Sequence, residues 1–326
     1  MAHNIEIING EASMFYYGKT PWHGLGTDLK KPATSSEAIK AAKLDWVVEK
    51  RQLFLDNNQP VKNKFATVRT DRPENVLGIV GSTYTPLQNT DAFKFFDSIV
   101  IDNQAMYHTA GSLLEGKVVW ILAKLPGEIK ITGEDITKKY LLLSNSHDGS
   151  SAVQIKFTPI RVVCNNTLTM AFGDQQFLSV YHQRDIKARL NDVPKLLNII
   201  NSRYTEIDAT LKELVKIQMT DITLEKYLLD VFPDPKRKKE EKLYEYELSR
   251  AKTNREWSKF FFENGVGNKL PGVSGSLWAT LNGITELIDH KVTKQSQDRK
   301  LNTIWFGDGA AVKAKAYKLA VGMVSV

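Results

Sequence analysis

The segment from residue 143 to residue 168, LSNSHDGSSAVQIKFTPIRVVCNNTL, concentrates side chains that could do chemistry. It contains adjacent His147 and Asp148, basic residues among apolar ones, the only cysteine of the chain and an Asn-Asn-Thr run. Three interpretations are open: a catalytic centre, a surface that binds a polyanion, or a hairpin whose polar residues cap turns. The residue types favour the second.

His147 and Asp148 could act as a general base and its orienting carboxylate. Adjacent residues of an extended strand point to opposite faces, however, so the two side chains are poorly placed to bond each other. Asp-Gly between strand-like flanks is also a strong hairpin signal. We therefore predict that Asp148 and Gly149 form a turn, and catalysis by His147 and Asp148 is the alternative.

Cys164 ends an apolar strand-like stretch, and nothing near it in the sequence supplies the electropositive setting and the histidine that a nucleophilic thiolate needs. We predict that Cys164 is buried and unreactive. The six histidines show no metal-ligand spacing. The sequence therefore predicts neither a metal nor another cofactor.

The other polar side chains of the segment suit a polyanion. Lys156 and Arg161 lie in one strand-like stretch, and a guanidinium matches phosphate oxygens bidentately. Asn165, Asn166 and Thr167 then offer amides and a hydroxyl for phosphates or base edges, although capping of the following helix explains them equally. We expect Arg161 to lie on the ligand-binding face, because no acidic residue except Asp148 is within reach along the strand.

Two further places complete the predicted nucleic-acid interface. Trp22 is a candidate for stacking on bases, and His23 follows it, although a tryptophan docked on the core beside a locally bonded histidine is the simpler reading. Lys313, Lys315 and Lys318 follow a glycine-containing helix start, whose free amides favour an anion.

The overall charge permits such a partner without requiring it. The net charge is +7. Residues 1–180 hold 19 Lys and Arg against 18 Asp and Glu, whereas residues 181–326 hold 25 against 19. The basic excess therefore lies in the C-terminal part, and an excess of this size is compatible with nucleic-acid binding.

The same composition bounds the location of the protein. No apolar run approaches the roughly 18 residues of a membrane span. The first ten residues lack the basic start and apolar stretch of a signal peptide. The single cysteine excludes an internal disulfide. We expect a protein of the bacterial cytoplasm without a membrane partner.

The apolar spacing indicates which elements position these residues. Residues 1–33 are predicted to be an irregular arm, residues 34–184 a strand-rich core, and residues 185–326 a helical region packed on that core. The spacing changes from period two to helical near residue 185. The fold class predicted is therefore α+β, with a mainly antiparallel sheet in the N-terminal half and long helices after it.

Four stretches carry a resemblance to a known family: PWHGLG (21–26), NSHDGSSA (145–152), TPIRVVCNNTL (158–168) and SLWATLNGITELIDH (276–290). Together they resemble the phage/plasmid-like protein family, a domain-of-unknown-function family numbered 932. The resemblance spans most of the chain. It implies a protein encoded by bacteriophages, plasmids or other laterally transferred elements, and it implies no activity.

Three functions are compatible with the sequence. The first is a nucleic-acid-binding protein of a mobile element that anneals single-stranded DNA or assists replication or recombination. The second is an enzyme acting on nucleic acid or nucleotides. The third is an interaction module that blocks a host factor, with a homo-oligomer as one form. The basic helical half and the weak catalytic motifs favour the first.

Overall fold

The computed structural model describes residues 5–18, 24–100, 105–161, 178–183, 193–237, 240–291 and 300–324. Strands dominate the first half of the chain and long helices the second, so the α+β prediction is confirmed. None of the described helices is long and apolar enough to cross a membrane.

In chain order the described strands are β1 (Ile7–Ile8), β2 (Glu11–Ala12), β3 (Met14–Tyr17), β4 (Thr27–Leu29), β5 (Val48–Phe54), β6 (Pro60–Arg69), β7 (Val76–Gly81), β8 (Met106–Leu113), β9 (Val118–Thr132), β10 (Asp135–Ser146), β11 (Val153–Phe157), β12 (Ile160–Arg161) and β13 (Leu178–Val180). The described helices are α1 (Ser35–Ala41), α2 (Asn89–Val100), α3 (Val193–Lys216), α4 (Asp221–Val231), α5 (Glu241–Asn264), α6 (Leu277–His290), α7 (Lys300–Trp305) and α8 (Asp308–Val324).

The largest sheet among the described residues has eight strands. Seven follow the order β13-β11-β10-β9-β8-β3-β4, and β12 pairs with β10 beside β11. The pairs β8–β9, β10–β11 and β11–β13 are antiparallel, as predicted for residues 104–183, whereas β3 and β4 are parallel. The segment expected to be an irregular arm thus supplies β1 to β4, two of which join this sheet.

The centre of the sheet is buried on both faces. Residues 119–123 of β9 and 140–143 of β10 are all buried, which explains their continuous apolar sequence. Gly111 of β8 lies opposite Trp120 of β9, and a Cβ atom on Gly111 would lie 1.8 Å from the indole ring. This glycine is therefore needed for the close approach of the indole.

Two prolines of this sheet have different effects on its strands. Pro126 and Gly127 do not end a strand, because β9 continues through them and Gly127 has a φ of 73°. The stretch that holds Lys156 and Arg161 is two strands rather than one. β11 ends before Thr158 and Pro159, and β12 begins after them, because proline has no N–H to donate to the ladder.

The described chain divides into two compact units. The first contains Met1–Pro126, Tyr140–Phe157 and Gln175–Ile200, and the second contains Gly127–Lys139, Thr158–Asp174 and Asn201–Val326. The chain therefore passes between the units inside β9, inside β10 and inside α3. The boundary predicted near residue 184 lies outside the described residues.

A second, three-stranded sheet belongs to the first unit. Its order is β5-β6-β7, and both pairings are antiparallel. One face lies against the turn after β10, since a Cβ atom on Gly78 would come within 2.4 Å of the Asp148 backbone. We call the opposite face, which includes Arg51, Ala66 and Ile79, the outer face.

Candidate nucleic-acid interface

His147 is fully buried rather than open to a substrate. Its Nε2 lies 3.0 Å from Asn89 Oδ1, while the Asn89 amide group donates to the Leu44 carbonyl. Nε2 therefore carries the proton of a neutral ring, and Nδ1 has no hydrogen-bond partner among the described residues. Burial lowers the pKa of His147 to about 3.

Asp148 does not orient His147. Its carboxylate accepts hydrogen bonds from the Ser146 hydroxyl and from the Ser150 N–H, and Gly149 follows with a φ of 78°. Burial raises the pKa of Asp148, but these hydrogen bonds outweigh it and leave the pKa below its usual value. The predicted turn at Asp148 and Gly149 is confirmed, and the two side chains have separate structural partners.

A buried polar network surrounds this turn. Arg69 is 1% exposed, forms ion pairs with Glu6 and Asp71, and stacks on the Trp46 ring at 4.2 Å. Trp46 in turn meets His147 edge-on, with ring centroids 5.3 Å apart. Each buried charge is thus paired, as burial in a low dielectric requires. The network thus links Glu6 and Trp46 to Arg69 at the end of β6.

A left-handed turn borders the network. Leu114, Glu115 and Gly116, between β8 and β9, have φ values of 55°, 60° and 93°. Each non-glycine residue in this conformation costs roughly 1–2 kcal/mol. The carbonyl of the next residue, Lys117, accepts the His147 N–H at 2.8 Å, which ties this turn to the turn after β10.

The predicted phosphate-binding residues have different environments. Lys156 on β11 is half-buried, and burial lowers its pKa. Arg161 on β12 pairs through its backbone with Thr137, and its side chain is outside the described part. Trp22, His23, Cys164, Asn165, Asn166 and Thr167 all lie outside the described residues.

The three lysines of α8 do not form one surface. Lys313 is 1% exposed and donates to Asp289 of α6 at 2.8 Å, so its assignment as a ligand contact is wrong. The helix turns this position into the core, where a charge needs a partner. Lys315 and Lys318 are exposed, and Lys315 Nζ donates to the Val231 carbonyl at 3.2 Å.

Exposed basic and apolar residues instead lie on the outer face of the three-stranded sheet, and the exposed Phe54 lies at its end. Arg51, Ala66 and Ile79 lie opposite one another on the three strands, and opposite residues share a face. Lys64 is two positions before Ala66 and lies on the same face. Ile79 is 61% exposed, and Phe54 at the end of β5 is 59% exposed.

The charges of this surface favour an anion. Lys62 and Lys64 are exposed, and the described part of the chain gives neither an ion-pair partner. Arg51 has a single exposed pairing, with Glu49 at 3.3 Å. Such an exposed pair contributes little and is easily exchanged for a phosphate. This end of the sheet therefore offers three cations, and Phe54, whose phenyl ring faces solvent, pairs with Pro60 next to the two lysines.

No other binding chemistry is evident in the described ranges. They contain no group of three or more His, Cys, Asp or Glu side chains that could hold a metal ion. Two tyrosines of the first unit have structural contacts. Tyr16 is 7% exposed, and Tyr84 donates to the Ser146 carbonyl and stacks on His182.

Comparison with known proteins identifies the family. The sequence pattern of a family described as a domain of unknown function, DUF932, matches residues 76–305, more than two thirds of the chain. The chain belongs to the DUF932 family. No curated protein and no solved structure matches the chain. The matched region begins at β7, so this DUF932 protein builds two strands of its outer face from residues before the match.

Sequence reasoning missed the outer face of the DUF932 chain. The stretch FLDNNQPVKNK, residues 54–64, places a phenylalanine and two lysines around an asparagine-rich hairpin turn. That combination of an aromatic ring, cations and a turn was a usable signal. The prediction from sequence is placed at residues 143–168 instead, because that segment holds a higher density of polar groups.

Proposed function

We propose that the outer face, together with Phe54 at the adjoining end of the sheet, binds single-stranded nucleic acid. The observation that carries the proposal is the combination of the exposed Phe54 ring with Lys62 and Lys64, which have no ion-pair partner among the described residues. Single-strand binders combine cations that follow the backbone with aromatic rings on which bases stack. Both features occur at the same end of the three-stranded sheet, because Phe54 pairs with Pro60, two positions before Lys62.

A single strand suits this surface better than a duplex. The bases of a duplex are stacked on each other, so a phenyl ring on a sheet meets only their edges. The bases of a single strand can turn outward and stack on Phe54. Ile79 and Val76, 61% and 51% exposed, extend the apolar part of the surface for the neighbouring nucleotide.

The proposed biological setting is a mobile genetic element in a bacterial cytoplasm. The resemblance to proteins encoded by phages and plasmids supports it, because such elements replicate and recombine through single-stranded DNA. The roles that fit are strand annealing and assistance to replication or recombination. We include self-association in this proposal, since annealing brings two protein-bound strands together.

The test is fluorescence anisotropy with a labelled oligonucleotide of about 16 nucleotides, single-stranded or annealed to its complement, over a range of salt concentrations. We expect tighter binding of the single strand. The double variant Lys62→Ala, Lys64→Ala should lower the slope of log affinity against log salt by about 1.4, because each single-strand phosphate contact contributes about 0.7. Phe54→Ala should weaken binding about tenfold.

Lys40→Ala is the matched control. Lys40 is also an exposed lysine of the first unit, but it lies on α1. Its removal should leave the salt slope within about 0.3 of the parent slope, less than half of one phosphate contact. The proposal is overturned if the parent protein binds no oligonucleotide at low salt, or if Lys40→Ala weakens binding as much as the double variant.

A further inference from the structure

A large bulge lies in β6 beside Phe54. Gln52 pairs with Phe65, but Phe54 pairs with Pro60, so the four residues 61–64 oppose Leu53 alone. Bulges of this kind redirect side chains and often occur near functional sites. The exposed Lys62 and Lys64 both belong to this bulge.

The side chain of Gln52 fixes the shape of the bulge. Its amide group donates to the carbonyls of Leu53, Val61 and Lys64 at 3.0, 2.8 and 3.3 Å. Two of these carbonyls belong to the bulge and have lost their ladder partners across from β5. The bulge is therefore held in one conformation from inside the sheet, which limits the entropy lost when a ligand binds.

Asn63 is the residue that this conformation displays. It lies between the two lysines, is exposed, and has a φ of 58°. No described residue hydrogen-bonds to its side-chain amide. The amide therefore offers one donor and one acceptor to solvent, in the position where a strand bound through Lys62 and Lys64 would pass.

We infer that Asn63 reads the edge of a base in the bound single strand. This inference rests on the proposed function of the outer face and adds a specificity-determining residue to it. An asparagine amide forms paired hydrogen bonds with a base edge that carries a donor beside an acceptor, and adenine is the common example. Lys62 and Lys64 would contact the flanking phosphates, and Phe54 would stack on a neighbouring base.

The competing explanation is that asparagine is present only because it tolerates a positive φ. Asn63→Gly separates the two, because glycine adopts this φ more readily and lacks only the amide. Asn58 supplies the matched control. It is also exposed, has a φ of 61°, and lies at the tip of the same hairpin but not between the lysines.

The experiment compares two labelled single strands of about 12 nucleotides, oligodeoxyadenylate and an abasic strand with the same backbone. We expect Asn63→Gly to bind oligodeoxyadenylate about five- to tenfold more weakly than the parent, as for one or two lost hydrogen bonds, and to bind the abasic strand equally well. Asn58→Gly should bind both strands as the parent does.

Three results would overturn the inference. If Asn63→Gly binds both strands like the parent, the amide has no role in binding. If it weakens both strands equally, the substitution disturbs the bulge rather than base recognition. If the parent binds neither strand, the proposed function fails as well, which distinguishes that failure from the first two.

Discussion

The buried His147 should make the stability of the protein sensitive to mild acid. Its neutral ring is enclosed with no exposed surface, and its pKa in the folded protein is about 3 instead of the usual 6.5. The unfolded chain takes up a proton near pH 6.5, whereas the folded chain does not. Protons therefore bind the unfolded state preferentially as the pH falls between these values, and the folded state loses stability.

The size of the stability loss follows from the difference between the pKa values of His147 in the unfolded and folded protein. Between these two values, each unit of pH changes the free energy of unfolding by about 1.4 kcal/mol, so lowering the pH from about 6.5 to about 5 should remove about 2 kcal/mol. Above pH 6.5 both states hold a neutral ring, and His147 contributes no pH dependence. The full effect is reached only near pH 3, where other groups also titrate.

Urea unfolding followed by tryptophan fluorescence at several pH values measures the effect. His147→Gln is the comparison, because its amide can donate to Asn89 as the ring does but does not titrate in this range. His182, whose pKa burial also lowers, remains in both proteins, so most of its contribution cancels. Parallel plots of unfolding free energy against pH for the two proteins would refute the reasoning.

Two further predictions concern charged side chains. Lys313→Ala should lower the free energy of unfolding in urea by about 3–5 kcal/mol, because it leaves the buried Asp289 without its ammonium partner. Lys315→Ala on the same helix should lower it by less than about 0.5 kcal/mol. Similar losses for the two variants would contradict the burial of Lys313. Arg161→Ala should change the free energy of unfolding by no more than about 0.5 kcal/mol. It should weaken DNA binding and lower the slope of log affinity against log salt by about one unit. A large loss of stability with normal DNA binding would show that Arg161 has a structural role instead.

The sequence supported the fold better than the site. Period-two spacing correctly predicted β8 to β11, and helical spacing correctly predicted α3 to α5, because burial of an apolar face imposes these periods directly. The breaks were less predictable. Pro126 and Gly127 are typical turn residues, yet here they lie inside the long strand β9, where Gly127 adopts a φ of 73°.

Contacts between distant parts of the chain decide whether an individual polar residue is buried or exposed. Lys313 is buried because α8 turns it toward Asp289, which lies 24 positions earlier. His147 is buried because Asn89 and Trp46 reach it from two other elements. Spacing along the chain reports neither contact. Lys62 and Lys64 are the opposite case, because they remain exposed. Only the described structure shows that they have no ion-pair partner among the described residues.

The chain passes between the two compact units inside β9, β10 and α3. This arrangement limits where the gene can be cut without dividing a unit. Many domains are contiguous stretches that can be cut out or exchanged by a single recombination event. Here a cut near residue 200 would yield a helical fragment that lacks Asp135 of β10, whose carboxylate accepts a hydrogen bond from the buried Trp278 indole at 2.8 Å. Neither unit is a contiguous segment of the gene, so no single cut in the gene separates one unit from the other.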